Sequence, residues 1–158
     1  MRPKKYPLEP LAKLRAKKVD DATATLAKAV RAREEAERVE RSNRKVRDDA
    51  DGKAQAAREA ERAALERGEL RVGDLMRGDA WGVRVADERA ELEKRAANSS
   101  SRAETARGAE DAARGGVTSA RADEEVVERD RGRWEESERK RADAKEEEEA
   151  SETWRKPT

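Results

Sequence analysis

The sequence predicts an all-α protein, one long antiparallel two-helix coiled-coil hairpin formed by a single domain over residues 1–158. Three observations carry this. Charged residues make up 47% of the chain and hydrophobic residues 34%, with a mean hydropathy of −1.25, against ~25% and ~45–50% in an ordinary globular domain. Two long stretches are filled with Ala, Arg, Glu and Lys, which are strong helix formers, and both carry apolar residues at steps of seven. Between them lies a short glycine-bearing segment. With three Trp, one Tyr and no Phe, the chain lacks the large side chains that a globule of this length buries. Its core must be a thin seam.

The first helix is expected over residues 8–67, since residues 11–67 contain no Pro and a single Gly, Gly52. Ala22, Ala29, Ala36, Asn43, Ala50, Ala57 and Ala64 recur on one face, flanked by Val19 and Leu26 early and by Val39, Val46 and Ala60 later. The flank therefore changes offset around residues 29–36, which is how a local discontinuity in a heptad reads. Helical signals fail at Gly68. The turn is expected over 68–74, with Gly73 and Asp74 placed to cap a new helix.

The second helix is expected over 75–152, with short tails beyond. Val85, Leu92, Ser99, Ala106, Ala113, Ala120, Val127 and Trp134 form one seven-step row, and Ala96, Ala103 and Val117 add another. Two narrow apolar stripes joined by a short turn satisfy each other when the helices fold back antiparallel. At ~1.5 Å per residue, arms of ~60–75 residues make a rod of roughly 90–110 Å. Asn98–Ser101, Gly108, Gly115 and Gly116 are weak points in the second arm, because an interior Gly costs about 1 kcal/mol relative to Ala. Bending near residues 114–119 follows, as drift in a long coil more than as a hinge.

The absence of His and Cys removes the commonest general base, the thiolate metal sites and any disulfide framework. No enzyme activity, metal or cofactor is expected. No apolar run reaches the ~18 residues of a membrane span, and MRPKKYPLEP has no signal-peptide core. A soluble cytoplasmic chain without direct membrane insertion follows. The net charge of +1 argues against nucleic acid as a partner. Charge is nevertheless unevenly placed: Arg2, Lys4, Lys5, Lys13, Arg15, Lys17 and Lys18 crowd the start, and Glu146–Glu149 the finish. Antiparallel pairing would let these ends attract, although solvated charge of little net energy explains them as well.

Three places carry apolar groups that the seam does not need. Tyr6, Leu8, Leu11 and Leu14 lie within the basic start, where Pro7 and Pro10 hold the entry extended. Leu75, Met76 and Trp81, beside Leu70 and Val72, lie at the turn; they read equally as a contact surface or as a cluster closing the hairpin. Trp154 is the third. All eight named site residues are candidates for binding protein. The tripeptide RGD at Arg77–Asp79 carries no argument by itself.

The opening KYPLEPLAKLRAKKVDDA (Lys5–Ala22), followed by an Arg- and Glu-rich helix, resembles the type III secretion proteins of the FliJ/YscO (SctO) family, especially chlamydial-type members with a similar YPLEP opening. The match is close at Tyr6–Pro10 and extends through Glu40, and WRKP at Trp154–Pro157 is similar to the tail of flagellar members. The resemblance implies a cytoplasmic bacterial stalk, peripheral to the secretion apparatus at the inner membrane and monomeric when free. Its partners would be the hexameric secretion ATPase, the export-gate membrane protein and secretion chaperones. By that analogy Tyr6–Leu14 enters the ATPase ring and Leu75–Trp81 faces the gate, or the reverse. A generic coiled-coil spacer, or a charged helical segment that folds on binding, is the alternative. The first gives no reason for YPLEP and WRKP, and the continuous stripes oppose the second.

Overall fold

A computed structural model describes Lys5–Trp154 as two helices, α1 (Glu9–Glu66) and α2 (Val72–Trp154), with no strand among the described residues. Arg2 and Lys4 of the basic start, and Arg155–Pro157 of the WRKP ending, lie outside the described residues. α1 is entered through a turn in which the Glu9 N–H donates to the Tyr6 carbonyl at 3.2 Å. Pro10 follows in the first helical turn, where its missing N–H would have found no partner within the helix.

The end of α1 is closed by its own backbone. Gly68 takes a φ of +70°, its N–H donates to the Leu65 carbonyl at 3.0 Å, and the Glu69 N–H reaches back to Ala64 at 3.0 Å. This paired closure needs a left-handed residue, and Gly adopts that conformation without a Cβ penalty. α2 begins three residues later than that closure, at Val72 and not at 75 as expected. Asp74 caps it from the third helical position: its carboxylate accepts the Arg71 N–H at 2.9 Å, one half of a capping box. That bond, helped by Arg77, holds the Asp74 carboxyl below its ordinary range.

Contacts between the helices fall into two units, one made of Met1–Ala27 with Ala112–Thr158, the other of Lys28–Asp111. In the first, Tyr6 bonds to Asp130, Glu9 pairs with Arg131, and Arg15 meets Asp123 at 2.6 Å. In the second, Arg33 pairs with Glu110, Arg47 with Glu93 at 3.5 Å, Asp51 with Arg89, and the Glu61 side chain lies against Gly78. From Glu9–Arg131 to Arg15–Asp123 in the first unit, and from Arg33–Glu110 to Glu61–Gly78 in the second, numbers that rise along α1 meet numbers that fall along α2, as a hairpin requires.

Burial keeps a strict step of seven, which corrects the expected discontinuity. On α1 the row that starts with Ala12, Val19 and Leu26 continues through Arg33, Glu40, Arg47 and Ala54, each buried or half-buried. Val39, Val46 and Ala60 are exposed and do not take over the flank. Arg and Glu can occupy a seam because their aliphatic stems lie along alanines while their tips find partners. α2 likewise buries Ala96, Ala103, Glu110 and Val117 at steps of seven, and remains helical through Asn98–Ser101 and Gly115–Gly116. Ala103 is fully buried; alanine there allows close approach of the backbones but buries little surface. No described helix is long and apolar enough to cross a membrane.

Candidate interaction surfaces

The N-terminal cluster divides into a buried half and an exposed half. Tyr6, 7% exposed, packs with Ala12 and Val127, and Leu11 and Trp134 lie against them. Its O–H donates to Asp130 Oδ2 at 2.6 Å. The Trp134 ring is tilted at 59° to it with centroids 5.6 Å apart, and the Arg131 guanidinium lies 5.4 Å over its face. Both geometries suit an aromatic ring, with its positive edge and negative face. Leu8 and Leu14 are exposed, and so are the neighbouring Lys13, Lys17 and Lys18. Tyr6 and Leu11 thus anchor the helix start on α2, leaving Leu8, Leu14 and the lysines as its outward face.

Burial, with the bond to Asp130 and its negative charge, pushes the Tyr6 phenol up to about 12 from its ordinary value of 10.0. The folded value lies above the unfolded one. Stability from the neutral phenol is therefore fully present below about 10 and lost as pH rises through about 12. Since the chain has one Tyr, phenolate absorbance reports this site alone. The expected titration midpoint is about 12 in the folded protein, against about 10 in concentrated urea. Coincident midpoints would mean that the ring is solvated.

The cluster at the turn divides in the same way. Leu75 and Trp81 are half-buried, Trp81 beside Ala50, Ala54 and Val85 in a shallow groove of the second unit. Met76 is 69% exposed. Val72 and Val83, at steps of four and seven from Met76, are exposed on the same stripe of α2, and Leu65 near the end of α1 is exposed too. Val72 entered the sequence reading only as a neighbour of the named trio, and Val83 and Leu65 were missed. An apolar spacing of helical period lying off the seam rows is the signal that finds Val72 and Val83.

A third feature has no apolar signature. Glu110, with a side chain 5% exposed, pairs with Arg33; Arg107 donates to Glu37 at 2.9 Å and to Glu40 at 3.2 Å; Arg33 also meets Glu37 at 2.8 Å, and Arg44 meets Glu40 at 3.0 Å. Three arginines and three glutamates interlock across the seam of the second unit. The bond from Arg107, with Arg33 nearby, holds the Glu37 carboxyl below its ordinary range.

At the far end of α2, every residue from Arg139 to Trp154 is exposed, Trp154 to 93%. Glu146–Glu149 make no ion pair among the described residues; the pairs described near this end are Arg15–Asp123 and Glu9–Arg131, and Arg2 and Lys4 of the basic start lie outside the described residues. No group of His, Cys, Asp and Glu among the described residues is placed to hold a metal ion. No protein family, curated protein or solved structure matches the chain.

Proposed function

We propose that the chain is an antiparallel coiled-coil hairpin serving as the cytoplasmic stalk of a bacterial type III secretion apparatus. It binds the hexameric export ATPase, couples it to the export-gate membrane protein and receives export chaperones. The opposed pairing of α1 and α2 within each unit supports the hairpin. The observation that carries the stalk reading is the exposed surface of the YPLEP segment and the first turns of α1 after it, which carries Leu8 and Leu14 together with Lys13, Lys17 and Lys18. An apolar pair within a basic field suits an acidic, apolar-lined partner surface. The exposed stripe of Val72, Met76 and Val83 supplies a second surface, assigned to the gate.

The test is ATP turnover by the cognate ATPase across a concentration series of this chain. Wild type is expected to stimulate turnover. Changing Leu8→Ala with Leu14→Ala should reduce that stimulation about tenfold, the effect of roughly 1.4 kcal/mol of lost contact. Helicity and melting should stay at wild-type values, because both residues are exposed. Unchanged turnover with the intact protein would reject the stalk reading.

A further inference from the structure

The seven-step rows of α2 continue past the last residues that α1 covers. After Trp134 and Glu138, both half-buried, the same two rows reach Arg141 and Lys145, then Glu148 and Glu152. All four are helical and exposed; among the described residues none of them pairs with α1, and Arg141 meets Glu138 of its own helix at 2.8 Å, an exposed pair weak enough to exchange for another. α1 begins at Glu9, opposite Arg131. A helix held by no packed face is marginal by itself. Here Glu148, Glu149 and Glu152 also crowd the negative end of the helix, and its last turn holds no basic residue.

The order of charges on this bare face identifies what covers it. It reads basic, basic, acidic, acidic. Turned end for end about the midpoint between Lys145 and Glu148, a second copy sets Arg141 against Glu152 and Lys145 against Glu148. Two-fold symmetry makes each pairing twice. A parallel copy sets like charge against like, and a uniformly basic partner satisfies Glu148 and Glu152 while opposing Arg141 and Lys145. We infer that the stretch from Arg139 to Trp154 is a self-complementary interface, through which two copies of this chain associate head to head by pairing their free α2 ends antiparallel. The dimer departs from the monomer expected from the sequence. It goes beyond the stalk reading and does not depend on it.

The experiment is sedimentation equilibrium on the full chain at ~50 mM and ~0.5 M salt, where exposed ion pairs differ strongly in strength. Wild type is expected to dimerise at low salt and dissociate at high salt. Two variants reverse half of the face each: Arg141→Glu with Lys145→Glu, and Glu148→Lys with Glu152→Lys. Each makes the face one sign throughout, and its self-association should weaken about 100-fold as four attractive pairs become repulsive. An equimolar mixture of the two should recover dimers, since every pair is then opposite in charge. Circular dichroism should show both variants folded, because all four positions are exposed. The inference is overturned by a wild type that stays monomeric at low salt, by variants that associate as wild type does, or by a mixture that fails to pair.

Discussion

Replacing Tyr6 by Ala is expected to lower stability by about 3 kcal/mol, in the range for large-to-small changes of buried aromatic residues. For a chain of this length that is a fall in Tm of roughly 6–12 °C. The substitution removes the ring that meets Trp134, the surface under Arg131 and the hydroxyl bonded to Asp130. Tyr6→Phe separates these contributions. It keeps both ring contacts and loses only the hydrogen bond, a cost of about 1 kcal/mol. Thermal melting ranks the variants, and hydrogen exchange should show the loss at the start of α1, near Glu9–Arg15. A Tyr6→Ala protein that melts with wild type but no longer stimulates the ATPase would make Tyr6 a docking residue and not an anchor.

Glu110→Ala is expected to cost about 2 kcal/mol, less than the ~3–5 of a fully buried pair because Arg33 keeps Glu37 as a partner and reaches solvent. The double change Arg33→Leu with Glu110→Leu should cost less than Glu110→Ala, since it removes the buried carboxylate and its half-buried partner together and fills their place with apolar groups. Glu125→Ala, which breaks an exposed pair with Arg129, is the control and should stay within ~0.5 kcal/mol. Acid should act on the same cluster. Because the folded Glu37 carboxyl titrates below the unfolded one, its contribution is present above about pH 4 and is lost as pH falls through the lowered folded value. If Glu110→Ala melts like Glu125→Ala, the cluster is merely solvated charge.

Helix content and the position of the turn were legible because Ala, Arg, Glu and Lys declare a helix wherever they stand, and Gly68 marks where the pattern stops. The rows of α2 at Val85, Leu92 and Val127 were read correctly as facing inward. On α1 the reading followed apolar residues and so moved to Val39 and Val46, whereas the helix continued in step through Arg33, Glu40 and Arg47. Hydrophobicity alone cannot find an inward arginine such as Arg33 or Arg47, whose place depends on a glutamate 77 or 46 residues away. For the same reason the ion cluster went unseen. In the candidate surfaces, composition located the apolar groups but could not say which faced outward. Tyr6, Leu11, Leu75 and Trp81 are turned against their own chain, and Leu8, Leu14 and Met76 away from it. In the N-terminal cluster that division depends on where α1 starts relative to Arg131 and Trp134.

The alanine lining of the seam has a thermal consequence. Heat-capacity change on unfolding tracks the apolar surface newly exposed to water, about 12–15 cal/mol/K per residue in ordinary domains. Ala12, Ala54, Ala96 and Ala103 expose little when they separate, and the glutamates buried beside them lower the heat capacity further. The curve of stability against temperature should therefore be shallow and broad. Cooling would weaken this fold less than it weakens a leucine-cored domain, and warming would erode it gradually, without the steep collapse that follows loss of a large apolar core.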